Sequence, residues 1–247
     1  MENITPIDTT ELKKILKKYS PYVTEFKSRL TFIFFIFISS TFIGFFFYEN
    51  IIKFLIKGLS LDGINIVFTS PFQFINLAVS CGIATGTVIS LPFLVIQIIS
   101  FLKPALKPKE YKILVRSFPF SFLLFSLGFA FGAYVMKWQI ELFLQSAMNI
   151  GIGNVLDISR LLGTMLLTST IMGISFQSPI VLLVLLRFEI LEKKDLTKNR
   201  KWIYLGTFMF TMLLPADSII ADLLLSLPLI LLFEGTLLLN QFFIRKR

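Results

Sequence analysis

At 247 residues, 55% hydrophobic and only 16% charged, with a mean hydropathy of +0.80, the chain is too apolar for an ordinary soluble domain, which carries about 25% charged residues. It has no histidine, which excludes bis-histidine haem ligation, histidine-bound zinc or copper and histidine acid–base chemistry, and its one cysteine, Cys81, has no partner for an internal disulfide. The net charge of +9 comes from clustered Lys and Arg; on a chain this apolar it is a topology signal rather than a nucleic-acid footprint, and neither metal nor cofactor is expected.

The first 29 residues are polar and hold no apolar h-region, so no cleavable secretory signal is expected. Within them, Leu12, Ile15, Leu16 and Tyr19 stand at helical spacing among Lys13, Lys14, Lys17 and Lys18. That pattern reads either as a basic amphipathic helix on a membrane surface or as a solvated basic tail. Apolar runs of about 18 or more residues then recur, each long enough to cross about 30 Å of hydrocarbon. They lack period-2 alternation, and lipid requires every backbone group to be satisfied internally, so they read as helices.

The first span is expected at 30–48. Residues 49–70 follow, where Ile51, Ile52, Phe54, Leu55 and Leu59 suggest a piece lying in the interface. Ser70-Pro71 opens a second span at 72–101, because proline suits a helix's first turn. A Pro-punctuated polar loop (101–112) leads to a third span at 114–137. A polar stretch containing Gly151, Gly153, Asn154 and Asp157 precedes a fourth at 161–186. After a charged loop at 187–201 come a fifth span at 202–215, a tight turn at Pro215-Ala216-Asp217 and a sixth at 219–240. The fifth holds about 14 apolar residues, or roughly 21 Å of helix. It falls short of the hydrocarbon thickness and should thin the bilayer or sit against partners. The expected fold is one all-α membrane domain over 1–247 with six spans and no internal repeat.

Twenty of the 24 Lys and Arg fall on one side of this topology; only Lys53, Lys57, Lys137 and Arg160 fall on the other. The positive-inside bias therefore puts both termini on the inner side. The abundance of Phe, Ile and Lys is typical of AT-rich, organelle-type genomes. It tilts the expected home toward the mitochondrial inner membrane, with thylakoid or bacterial plasma membranes as alternatives.

Ionisable and polar groups near the spans are the candidate functional residues. Glu25 precedes the first span and Glu110 the third, both on the inner side among cations. Each either pairs with a local cation (Lys27, Arg29 or Lys112) or stays available to a cationic ligand such as a guanidinium, which carboxylate binds in bidentate fashion. Gln177 lies in the fourth span, two residues before Pro179. It needs a partner on a neighbouring helix or another subunit, or it bonds backbone freed by the proline. Glu234, deep in the sixth span, is expected to be protonated, paired or near water. Pro92, Pro179 and Pro228 fall inside the second, fourth and sixth spans and should bend them. Gly82-xxx-Gly86 and Gly128-xxx-Gly132 permit close helix contact and are weak pointers to self-association.

Seven segments in chain order resemble the TatC family, the multispanning receptor subunit of the twin-arginine translocase. YVTEFKSRL (22–30) looks like the family's HLxELRxRL, and Ser70-Pro71-Phe72 like SPxExF. ISFLKPALKPKEYK (99–112) is similar to FxxPGLxxxER, and SLGFAFGAYV (126–135) to FxxGxxFxYFV. GISFQSPIVLLVLL (173–186) resembles GxxFExPVxxxLL, LLPADSII (213–220) the TPPD turn, and PLILLFE (228–234) PLxxLYE. The resemblance implies six curved helices in a cupped-hand bundle, with the fifth and sixth short. It implies that Glu25 and Glu110, with Lys27 and Arg29 beside them, bind the Arg-Arg signal peptide of folded cargo. It also implies that Gln177, Pro179, Thr211 and Met212 dock single-spanning TatA/TatB-type subunits, that copies self-associate, and that the proton-motive force drives transport. There are departures: Tyr22 replaces the motif's histidine, Phe26 its leucine, Lys27 its arginine, and Gln177 the usual glutamate. Tyr111 replaces a basic residue, Lys103 a small one and Leu214 a threonine. The rival readings are a solute or ion transporter, which would need paired charges at mid-membrane depth and often an inverted repeat, and a membrane subunit of a respiratory complex.

Overall fold

The computed structural model describes residues 9–58, 66–67, 70, 72–102, 118–149, 156–187, 190–216 and 218–244. Helix α1 (Thr9–Phe46) is followed by α2 (Tyr48–Gly58), β1 (Ile66–Val67), α3 (Gln73–Leu102) and α4 (Phe118–Asn149). Next come β2 (Leu156–Asp157), α5 (Ile158–Ser175), α6 (Ser178–Arg187), α7 (Lys193–Lys198), α8 (Arg200–Thr211) and α9 (Ile219–Ile244). Five stretches among the described residues are long and apolar enough to cross a membrane: Val23–Phe46, Gln73–Ile98, Pro119–Ala147, Ile158–Leu186 and Ile219–Asn240. The chain is a multi-pass, all-helical membrane protein apart from the short β1–β2 pair.

Several boundaries move. The basic segment and the first span form one helix, α1, because helical hydrogen bonding continues across the change in polarity. α4 runs on to Asn149, well past 137, and the charges that suggested an end to the span pair within the helix: Lys137 Nζ lies 3.6 Å from Glu141 Oε1. The fourth span is two helices joined at Phe176–Gln177. Pro179 has no N–H for the Ser175 carbonyl, and the Gln177 N–H turns instead to Ile174 O at 2.9 Å. Pro92 and Pro228 are contained within the unbroken helices α3 and α9. α8 is short as expected, with 12 residues or about 18 Å of rise. α9, at 26 residues, is not: the implied short sixth helix is corrected.

α1 packs along α3, and glycines set the spacing. A Cβ on Gly82 would lie 2.8 Å from Thr41 O, one on Gly44 2.5 Å from Thr85 Cβ, and one on Gly86 would collide with Thr41 Oγ1. α4 meets α5 in the same way, with Met172 O 2.7 Å from a Cβ on Gly128 and Ser169 Cα 2.8 Å from one on Gly132. Both GxxxG pairs are thus spent on contacts within the chain. The core between these helices buries Leu77, Cys81, Leu124, Met165, Met172 and Leu225, while Phe34, Phe35, Phe42 and Phe46 of α1 face outward as lipid solvent allows. α2 buries Ile52 and Leu55 and leaves Lys53 exposed, which fits a helix lying in the interface.

At one end, β1 and β2 pair in parallel, Ile66 with Leu156 and Val67 with Asp157. Asp157 then caps α5, accepting from Arg160 N at 3.1 Å, and accepts from Gln73 Nε2 at 2.5 Å. This ties the start of α3 to the start of α5 and leaves the far end of α3 free to meet the start of the apolar part of α1.

Candidate functional site

At that far end, Glu25 and Arg29 occupy successive turns of α1. Arg29 donates from Nη2 to Glu25 Oε1 at 2.6 Å and from Nε to the same oxygen at 3.1 Å. Its remaining nitrogen, Nη1, donates to Gln97 Oε1 on α3 at 2.8 Å. Below this group the Phe26 and Phe101 rings meet edge to face at 5.8 Å and fix the register of the two helices. Thr24, Glu25, Ser28, Arg29 and Gln97 line an open recess.

The local pairing open to Glu25 is therefore realised, with Arg29 as the partner. Both contacts converge on Oε1, and the Glu25 side chain remains 46% exposed, against 25% for Arg29. Lys27 points outward and is exposed. Glu110 and Lys112 lie outside the described residues, in the segment 103–117 that leaves α3 just beyond Phe101. Gln97 is the residue that sequence reasoning missed. Its signal was an amide inside the apolar run, within two turns of its end.

Ile98, the next residue on α3, belongs to a different surface. Leu91, Leu94, Val95 and Ile98 form one wall of an apolar cleft of about 580 Å3, and Gln177, Val181 and Val184 form the other. Gln177 is buried at the base of the bend, with its amide engaged at both ends. Ser121 Oγ donates to its Oε1 at 2.6 Å, and its Nε2 donates to Ser121 O at 2.9 Å. The partner is a neighbouring helix of the same chain, α4. The exchange needs an amide, because a carboxylate would meet the Ser121 carbonyl without a proton to offer it.

Thr211 ends α8 fully buried, and its hydroxyl donates to Phe208 O at 2.8 Å. Met212 follows with its side chain exposed. Pro179 is buried. Of the four residues assigned to partner docking, only Met212 presents its side chain outward.

Glu234 is paired across the α8–α9 turn. Tyr204 Oη donates to Oε1 at 2.5 Å, and Arg200 Nη2 sits 3.4 Å from Oε2. Of the states open to a carboxyl at this depth, pairing is the one adopted. Asp222 is buried near the start of α9, and its Oδ1 has no hydrogen-bond partner among the described residues.

The Sec-independent protein translocase protein family (TatC) matches residues 21–228. The chain is similar to the Sec-independent protein translocase protein TatCy of Bacillus subtilis, with 26% identity over 232 residues covering 91% of this chain and 89% of that protein. TatCd of the same organism is 30% identical over 217 residues, covering 87% of this chain and 86% of that protein. TatC of Escherichia coli K12 is 29% identical over 159 residues, covering 64% and 62% respectively. A crystal structure of the twin arginine translocase receptor TatC in the detergent DDM superposes with a TM-score of 0.78 at 24% identity, covering 88% of this chain and 98% of that one. At that identity the superposition speaks for the fold.

Proposed function

The chain belongs to the TatC family of Sec-independent protein translocase proteins, and from this premise we propose that it is the receptor that grips the Arg-Arg pair of a cargo signal peptide at the recess between α1 and α3. The observation that carries the reading is the half-exposed Glu25 carboxylate, which lines the recess and whose contacts with Arg29 both fall on Oε1. An incoming guanidinium has two routes. It adds to the other oxygen, or it displaces Arg29, which keeps Gln97 as a partner. Displacement is cheap, since an exposed (i, i+4) ion pair contributes only about 0.3–0.5 kcal/mol. The pair that replaces it is of the same kind, so the net gain comes from contacts added at the other oxygen rather than from the exchange itself.

Glu110, in the sequence segment that follows α3, supplies the second carboxylate in this reading, and Lys27 and Arg29 keep the recess from binding any cation indiscriminately. The peptide's apolar segment then lies along the cleft of Leu94, Ile98, Val181 and Val184, where burial contributes about 25 cal/mol per Å2. The α8–α9 end with Thr211 and Met212, together with the bend at Gln177 and Pro179, is the docking region for single-spanning TatA/TatB-type subunits. The engaged Gln177 amide acts there by holding the bend rather than by donating to the partner. Pro92 and Pro228 bend α3 and α9 in the same reading and help to shape the concave wall. α8 serves as the short fifth of six spans. Both termini then lie on the matrix, stromal or cytoplasmic face of an energy-transducing membrane, for which composition favours the mitochondrial inner membrane. Self-association runs through surfaces other than the two GxxxG pairs. Membership in a protein translocase family displaces the solute-transporter and respiratory-subunit readings.

The test is photo-crosslinking of an Arg-Arg precursor to the chain in native membranes. Glu110→Ala should abolish the adduct while the protein remains inserted; a normal adduct in that variant counts against the clamp.

A further inference from the structure

On the face opposite the Glu25 recess, a cavity of about 420 Å3 opens between α3 and α5. Helix direction fixes its side. Gln97, which meets Arg29, is near the C-terminal end of α3, whereas this cavity lies beside Ser80, nearer the N-terminal end, and beside the first turns of α5. Its lining changes with depth. Ser159 and Arg160 stand at the first turn of α5; one and two turns deeper, Ile83, Leu166 and Leu167 make the wall apolar. Gly163 keeps the passage open: a Cβ there would meet only Ser80 Oγ, at 3.7 Å.

Arg160 is exposed at the mouth and enters no ion pair among the described residues. Its backbone N–H is taken by the Asp157 cap, but the guanidinium is a separate set of donors with no hydrogen bond among the described residues. The Thr164 hydroxyl is committed to Arg160 O at 2.8 Å and Leu161 O at 3.0 Å, so Arg160 and Ser159 are the donors facing out. A guanidinium over a narrow apolar slot between two spans is complementary to a phosphate that carries a hydrocarbon chain. A soluble anion would gain nothing from Ile83, Leu166 and Leu167, and a neutral lipid tail would gain nothing from Arg160.

We propose that this cavity holds an acyl chain of an anionic phospholipid from the leaflet opposite the Glu25 face, with the lipid phosphate bound by Arg160. The site is independent of the signal-peptide reading and shares no residue with it.

Native mass spectrometry of the full chain in detergent, titrated with phosphatidylglycerol or with phosphatidylcholine of the same chains, tests it. The wild type should retain phosphatidylglycerol at least threefold more than phosphatidylcholine. Arg160→Gln should bring the two lipids level without changing the elution profile. Gly163→Leu, which fills the passage and keeps the charge, should lower both; Leu167→Trp, at an exposed inner wall position, does the same by another route if Gly163→Leu folds poorly. Equal retention of the two lipids by the wild type, or undiminished phosphatidylglycerol in Arg160→Gln, overturns the headgroup assignment. Undiminished retention in both cavity-filling variants overturns the chain assignment. Glycerol 3-phosphate at millimolar concentration should displace no lipid, and displacement by it overturns the proposal in favour of a soluble-anion site.

Discussion

The α1–α3 and α8–α9 helix pairs each carry a carboxylate paired with an arginine where two antiparallel helices meet, and they use it in opposite ways. In α8–α9, Glu234 is consumed: Tyr204 takes one oxygen and Arg200 faces the other, so the carboxylate ties a short helix to a long one. In α1–α3, Arg29 places both of its contacts to Glu25 on one oxygen and makes its interhelical bond to Gln97 instead. The backbone spacing differs in the same sense. Gly44, Gly82 and Gly86 bring α1 and α3 into contact that leaves no room for a Cβ, whereas a Cβ on Gly206 or Gly235 would meet nothing within 4 Å among the described residues beyond its own helix backbone and chain neighbours. Where glycines hold the helices together, the charged group is released from structural duty; where they do not, it becomes the tie.

The most direct way to break this contrast is to add volume at the glycines. Gly82→Val drives a side chain into the Thr41 carbonyl, which cannot move away as a flexible side chain would. A loss of about 1–3 kcal/mol or more is expected, seen as a fall in folded yield and thermal midpoint in detergent. Gly206→Ala, by contrast, should be neutral or stabilising by up to about 1 kcal/mol. Exchanging the carboxylates for amides sharpens the contrast next. Glu25→Gln should cut precursor crosslinking about tenfold or more with little change in stability, and Glu234→Gln should leave crosslinking intact and lower the thermal midpoint. Equal effects of the two variants on crosslinking would erase the distinction. The smallest expected effect is that of Tyr204→Phe, which removes one hydrogen bond from Glu234 while Arg200 remains. A cost of about 0.5–1.5 kcal/mol in thermal unfolding is expected, with precursor binding unchanged.

Much of this was legible in the chain itself. The apolar runs located the five long membrane-crossing stretches found among the described residues, because lipid permits little else. Ile51, Ile52, Phe54 and Leu55 marked an interfacial piece, and the structure makes it the helix α2. Glu25 and Arg29 stood out because they lie one helical turn apart beside a span. The end of α4 was misread because Lys137 looked like a boundary, and a charge four residues from an opposite charge on a helix neutralises itself locally. The burial of Asp222 was not legible, because a position near a turn says nothing about what packs over that turn.

Composition and residue order alone determined that this chain lives in a bilayer as helices, where most spans lie, and which family motifs it carries, since hydropathy, spacing and local hydrogen bonding are properties of neighbours in sequence. Which partner each polar group found was decided only in three dimensions. Gln177 met Ser121 from 56 positions away, Arg29 met Gln97 from 68, and Glu234 met Tyr204 from 30. The physical reason is that in a low-dielectric interior a buried polar group must be satisfied, and the geometry of helix packing, not the pattern along the chain, selects the group that satisfies it.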